Sequence, residues 1–406
     1  MKFIYFPLPA IPATLDERRR ERPIAHRTER WQRMFAEIVE LAKMAEDLGF
    51  ESICFPEHHL ATEGLEIGSM PLVSLYVAMQ TKRIKVGQIG YVLPGWDPLR
   101  LALEIAYLDQ LTKGRSFVGM ARGYQTRWLN QMGQKLHVGA TVSDQSEVDN
   151  ANRRAFEEVF QILKLAWKDE PFRFKGEFYE YPFPYEQGTP WAPQKWTETY
   201  GAVGEMKNGK IDKISVVPKP YQKPHPPVFQ AFSVSEATIR WCGQEGIVPM
   251  ILMSDPPVFS KLVDAYMDTS AKHGRKLARG QSVGVLRQFY FGNEQEVQKL
   301  AEQGLVGLLW KQFWGTFGFW EAFRHEGEMG KEPPLPPSEW TLDRMRQFDY
   351  AYAGSVSEVR KGMDRLVEAG NPEYFAWLSD QGMLPLDVVK QQLRIFGEQV
   401  LPHYRS

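Results

Sequence analysis

Short β-type runs alternate with stretches of helical period along most of the chain, and no other feature limits the available folds as much. Runs at 2–6, 52–55, 84–89, 116–120, 228–231, 248–252, 282–291 and 374–376 read as strands, and helical sequence follows each. Between 31 and 48, Trp31, Phe35, Ile38, Leu41, Ala45 and Leu48 fall at helical spacing, and Gly49 stands where a left-handed residue ends a helix. Helices are expected likewise at 71–80, 98–111 and 151–167, the last with Phe156, Val159, Phe160, Leu163 and Trp167 on one face. The alternation resumes with helices at 236–243, 257–271, 294–303, 356–368 and 386–400. Parallel strands need crossover helices, and an eighth strand can close the sheet on itself, so the pattern predicts a (β/α)8 barrel. A doubly wound open sheet is the alternative, but no Gly-x-Gly-x-x-Gly loop follows the first strand.

Two stretches break the rhythm. Residues 172–227 are rich in Pro, Tyr and Trp and have hairpin character; residues 305–350 hold Trp310, Trp314, Trp320 and Trp340 and two Pro-Pro pairs. Both read as insertions in a single 1–406 domain. The second is either a lid over the ligand face or packing against the outer helices. The 49 Lys and Arg nearly balance the 50 Asp and Glu, which gives no electrostatic case for nucleic acid or an anionic membrane. Two cysteines cannot build a disulfide framework, so a cytoplasmic protein is expected. No signal-peptide pattern and no run of about 20 apolar residues is present.

In such a barrel the chemistry lies where strands end. The run 52–55 leads into Glu57-His58-His59, a candidate acid–base or metal site or, more simply, a hydrogen-bonded loop element. His26, His137, His225, His273, His325 and His403 fall away from the strand ends, so no metal site is expected. The fourth strand ends in Arg122-Gly123, a fixed cation beside an open backbone, suited to phosphate or to a structural ion pair. Ser233-Val234-Ser235-Glu236-Ala237-Thr238 opens a helix, as an anion-binding N-terminus or a simple N-cap. Two phosphate-suited ends together favour a phosphorylated cofactor. Ile89-Gly90 permits the close approach of a flat ring, or marks a bulge.

In this order the pieces resemble the bacterial luciferase-like, flavin-dependent monooxygenases. The resemblance is carried by Glu57-His58-His59-Leu60-Ala61-Thr62-Glu63-Gly64-Leu65, residues 86–94, Asp97-Pro98-Leu99-Arg100, Leu108-Asp109-Gln110-Leu111-Thr112-Lys113-Gly114-Arg115, Arg122-Gly123 and Glu398-Gln399-Val400-Leu401-Pro402. It is dense over 30–135, thinner over 218–255 and 350–403, and absent from both insertions. It implies a barrel that binds reduced FMN supplied by a separate flavin reductase. Oxygen would add at the flavin C4a position, and the resulting peroxyflavin would oxygenate an organic substrate. His58 matches the catalytic histidine, with Glu57 and His59 its motif neighbours. Arg122, with Gly123 beside it, matches the phosphate-binding arginine. Ser235 and Thr238 match the phosphate hydroxyls, and Ile89-Gly90 matches a non-proline cis peptide against the flavin ring. A homodimer is implied as well.

Ala121 replaces a reactive cysteine of luciferase, and Val234 lies where the family has a phosphate-loop glutamate. The aromatic insertion points to an apolar or ring-containing substrate rather than to luciferase's aldehyde. Two other readings are an F420-dependent hydride-transfer oxidoreductase of the same superfamily and a non-catalytic flavin-binding partner. The pattern from Glu57 to Leu65 favours the FMN branch over the first. Retention of His58 and Arg122 speaks against the second.

Overall fold

The computed structural model describes residues 1–65, 71–141 and 144–405. Its central sheet is parallel and nine-stranded. The strands are β1 (Lys2–Pro7), β2 (Ser52–Phe55), β3 (Lys85–Val92), β4 (Ser116–Ala121), β5 (Val228–Ser233), β6 (Val248–Ile251), β7 (Gly284–Phe291), β8 (Ala351–Gly354) and β9 (Tyr374–Ser379). They lie in the order β6-β5-β4-β3-β2-β1-β9-β7-β8, and a further β6–β7 pairing closes eight of them into a TIM barrel. The helices used below are α1 (Thr28–Leu48), α2 (Pro71–Gln80), α3 (Pro98–Thr112), α4 (Glu147–Ala166), α5 (Glu236–Glu245), α6 (Pro256–Lys272), α7 (Glu294–Gln303), α8 (Val356–Gly370) and α9 (Leu386–Gln399). The chain divides into two compact units, one of Met1–Gly90 with Val228–Ser406 and one of Tyr91–Pro227.

In the first unit, β1 pairs with β9 along its whole length, Lys2 opposite Tyr374 and Pro7 opposite Ser379. Side chains alternate across a strand, so one pleat serves two environments. Phe3 and Tyr5 meet Phe50, Phe375, Phe396 and Trp377, which fill the layer under α9. Phe6, of the other parity, stacks on Phe232 of β5 at 6.0 Å. Nearly every strand residue is buried, which is why these runs show little hydrophobic alternation. Gly49 ends α1 with φ 89° and donates to Ala45 and Glu46, as its sequence position predicts.

The ninth strand is not foreseen from sequence. Ala351–Gly354 has no β-branched residue, directly follows the 305–350 insertion, and pairs with the second half of β7. The first half of β7 pairs with β9. Strand ends shift modestly: β3 runs to Val92, β9 runs to Ser379, and β7 begins at Gly284 rather than 282.

In the second unit, Asp97 caps α3 by accepting from the Arg100 N–H, with Pro98 at the first helical position. Asp109 on α3 is fully buried. It accepts from Ser116 Oγ (2.7 Å) and from Gln222 N and Nε2 (2.8 and 2.7 Å), tying the end of the 172–227 segment to the α3–β4 turn. That segment forms short antiparallel pairs and the helix Gln194–Tyr200. Another short helix, Thr126–Met132, was not expected from sequence.

Candidate functional site

β2 delivers Glu57, His58 and His59 two to four residues beyond its end. Glu57 is buried, while His58 and His59 are half-buried. His59 Nε2 lies 2.9 Å from Glu57 Oε1. A carboxylate only accepts, so His59 carries its proton on Nε2 and the pair fixes the loop beside His58. The following residues are tied down from the N-terminal segment. Arg18 donates to the carbonyls of Ile11 (2.6 Å), Glu63 and Gly64 (3.1 Å each), and burial pulls its guanidinium down to about 10. Gly64, at φ 71°, packs so closely on Ile11 and Ile24 that a side chain has no room there. The sequence gives no hint of the role of Arg18, because its partners are backbone carbonyls up to 46 residues away.

β3 pairs with β2 up to Gln88 opposite Phe55, so Ile89-Gly90 runs on beside the start of the His58 loop. The Ile89–Gly90 peptide bond is cis, as the resemblance implies. At the end of β5, Ser235 caps α5. Its Oγ accepts from the Thr238 N–H at 3.3 Å and lies 3.0 Å from Thr238 Oγ1. Val234 beside it is 45% exposed. Near the ends of β5 and β6, Gln230 Oε1, Ser233 Oγ and Ser254 Oγ are buried without a hydrogen-bond partner. Such atoms carry a desolvation cost that a bound polar ligand can relieve.

The second unit holds Arg122 and Gly123. Arg122 donates to Asp149 Oδ1 (2.6 Å), to the Asp149 carbonyl (2.6 Å) and to Asn152 Oδ1 (2.9 Å). Asn152 returns a bond to the Arg122 carbonyl at 3.0 Å. Burial lowers the guanidinium somewhat from its ordinary value, and Arg153 adds to this. Asp149 sits below the usual carboxylate range because bonds from Thr141 and Arg122 outweigh the opposing effect of burial. Arg122 thus has the carboxylate partner that the paired-arginine alternative expects. Gly123 has φ 82°, and a Cβ there would collide with Val92 and Leu129. Ala121 packs on the apolar cluster of Val92, Trp128, Leu129 and Ala140. Sequence reasoning missed Asp149 and Asn152. Their one signal is polar side chains on the face of α4 that continues into Phe156, Val159 and Phe160.

The structure thus brings together Glu57 with His59 and Ser235 with Thr238, sets Ile89-Gly90 alongside the β2 end, and gives Arg122 partners of its own. Among the described residues, no group of three or more His, Cys, Asp or Glu side chains is placed to hold a metal ion.

Residues 1–372 match the luciferase-like monooxygenase family. The chain belongs to that family. It is 23% identical over 339 residues to 3,6-diketocamphane 1,6-monooxygenase of Pseudomonas putida, covering 82% of each chain. It is 24% identical over 384 residues to the oxygenase component of the flavin-dependent trigonelline monooxygenase of Acinetobacter baylyi, covering 92% of this chain and 91% of the relative. Among solved structures, the oxygenating constituent of 3,6-diketocamphane monooxygenase from P. putida, in complex with FMN, superposes with a TM-score of 0.68. That match has 19% identity and covers 91% and 93% of the two chains. An F420-dependent secondary alcohol dehydrogenase superposes at 0.62, with 16% identity over 100% and 99%. At these identities the two structures establish the fold.

Proposed function

We propose that this luciferase-like chain is the oxygenase component of a two-component monooxygenase that takes reduced FMN from a separate reductase and inserts one oxygen atom into an organic substrate. The observation that carries the reading is the half-buried imidazole of His58 at the C-terminal end of β2, on a loop held by the Glu57–His59 pair and by Arg18. The residues fit a phosphorylated flavin. Unpartnered polar atoms lie near the β5 and β6 ends, and the N-terminus of α5 offers backbone N–H groups with two hydroxyls. Reduced flavin, when bound, supplies the electrons that activate oxygen. Ser235 and Thr238 would hold phosphate oxygens, and Arg122, whose position Asp149 and Asn152 set, would supply a cation. Ile89 and Gly90 would offer their backbone to the flavin ring. His58 would hold or deliver the proton.

The aromatic residues of 305–350 support an apolar or ring-containing substrate less directly than their number implies. Trp310 packs against Trp314, Trp320, Phe323 and Tyr350 with centroids 4.7 to 6.1 Å apart, and Trp320 stacks on Trp340 at 5.9 Å. Those rings form the segment's own core. Phe313, Phe317 and Phe319 make a second row, partly exposed, and are the rings we assign to the substrate. The two cysteines, both buried thiols, are in keeping with a reducing cytoplasmic setting. We also propose a homodimer, for which α2 offers Leu72, Tyr76 and Met79 as an exposed apolar row.

The test is anaerobic titration of the protein with reduced FMN, followed by oxygen uptake with and without a reductase. Wild type is expected to bind reduced FMN, and Ser235→Ala to bind it about tenfold more weakly, the worth of one charge-assisted hydrogen bond. His58→Ala is expected to bind normally and to lose productive oxygen use. No binding of reduced FMN, with tight binding of F420 instead, overturns the reading in favour of hydride transfer.

A further inference from the structure

Arg287 stands where the sheet changes partners. The Val283 carbonyl, just before β7, accepts from the Tyr374 N–H on the edge that faces β9. Gln288, of the opposite parity, donates its N–H to the Tyr350 carbonyl on the other edge. Along that second edge β6 pairs with Gly284 and Val285, and β8 takes over from Gln288 to Phe291. Arg287 sits in the gap between them. It turns to the outer face, where its guanidinium lies 5.8 Å from the ring of Phe259 on α6. Its Nη atoms donate to the carbonyls of Ile251 and Leu252 (3.4 Å each), Met253 (3.2 Å) and Leu286 (2.8 Å). The register sets Tyr352 opposite Phe289 and Tyr350 one step before Ala351, level with Arg287, so both phenols share its face.

Arg287 is fully buried, and a guanidinium keeps its charge there. All of its hydrogen bonds go to neutral carbonyls. Asp349, a carboxylate in its surroundings, gives both oxygens to Arg365 instead. The Nε–H has no partner, and neither have the hydroxyls of Tyr350 and Tyr352, which are buried beside the guanidinium. A phenol that accepted the Nε–H would still turn its own O–H outward as a donor. A buried charge with no counter-charge and three unmet donors around it is costly in an interior. Water there would accept at most two of the three and leave the charge uncompensated. A small anion answers both.

We propose that Arg287, Tyr350 and Tyr352 form a buried site for a small monovalent anion such as chloride, which bridges β7 to β8 where the β6 pairing ends. The Nε–H and the two phenol O–H groups converge on the ion, and its charge balances the guanidinium. A cavity of ≈ 190 Å³ beside Tyr352 is the way in, and Arg346, Lys361 and Arg365 outnumber Glu358 along its wall, which favours anions. Tyr350 also packs on Trp310 and Phe323, with centroids 5.2 and 4.4 Å away. The ion therefore ties the aromatic core of the 305–350 segment to the barrel wall. The site does not depend on which cofactor the barrel binds.

Crystals of the full chain grown in bromide and measured at the bromine absorption edge test the site directly. An anomalous peak is expected within hydrogen-bonding reach of Arg287 Nε and both phenol oxygens. In solution, chloride replaces gluconate at fixed ionic strength, and the wild-type unfolding midpoint should rise by about 2 °C by about 0.2 M and then level off. Tyr350→Phe combined with Tyr352→Phe removes the two hydroxyls and keeps the rings. Without chloride this variant should unfold at or above the wild-type midpoint, because two unmet buried hydroxyls are gone, and chloride should add nothing to it. A bromide map with no peak or with water alone at the site overturns the proposal. So does a wild-type midpoint that ignores chloride, or an equal rise in the variant. Should the double variant fail to fold, Tyr352→Phe and the bromide map decide.

Discussion

At the scale of single residues, Arg122 shows a charge positioned before any ligand is present. Three of its contacts go to Asp149 and Asn152, 27 and 30 residues onward, and Asn152 is fully buried. A guanidinium held this way loses little freedom when it meets a phosphate. The same pairing gives it a structural duty. Arg122→Ala leaves the Asp149 carboxylate buried beside Thr141 without its cation, and the fold should lose about 2–4 kcal/mol, read as a lower urea midpoint. Arg122→Lys keeps the charge, gives up the forked geometry and should lose less. The arginine was legible in sequence because it ends a strand. Its partners were not, since polar residues in the first turns of a helix look the same whether they face solvent or a buried cation.

At the scale of elements, the loops after the strands are built to be stiff. Gly123 illustrates this, with a left-handed φ of 82° and no space for a Cβ between Val92 and Leu129. Gly123→Ala meets both the backbone and the packing penalty, and a loss of about 2–3 kcal/mol is expected in thermal or urea unfolding. An Ala at Gly274, also at positive φ but with nothing within 4 Å, should cost only about 1 kcal/mol and serves as the control. The elements themselves were mostly readable. Gly49 and the Ser235 cap stand where the pattern puts them. Ala351–Gly354 was not readable, because it has no β-branched residue, directly follows the 305–350 insertion, and becomes a strand only by pairing with β7.

At the scale of the whole molecule, the row Leu72, Tyr76 and Met79 on α2 is 74, 44 and 76% exposed. A homodimer that buries this row predicts that Met79→Asp shifts sedimentation from dimer to monomer without lowering the unfolding midpoint of the monomer. The alternation of strands and crossover helices by itself determined a closed parallel barrel, because eight such units leave a twisted sheet little else to become. Sequence also placed His58, Arg122 and Ser235 just past strand ends, whereas Ile89-Gly90, read as a strand end, lies inside β3, which runs on to Val92. Only the tertiary structure decided what holds those residues. Arg18 clamps carbonyls of the His58 loop, Asp149 and Asn152 fix Arg122, and Asp380 and Asp255 grip the 305–350 segment. The reason is physical: a helix or strand announces itself through neighbours a few residues apart, whereas a buried polar group takes its partner from wherever the fold brings a donor or acceptor within about 3 Å.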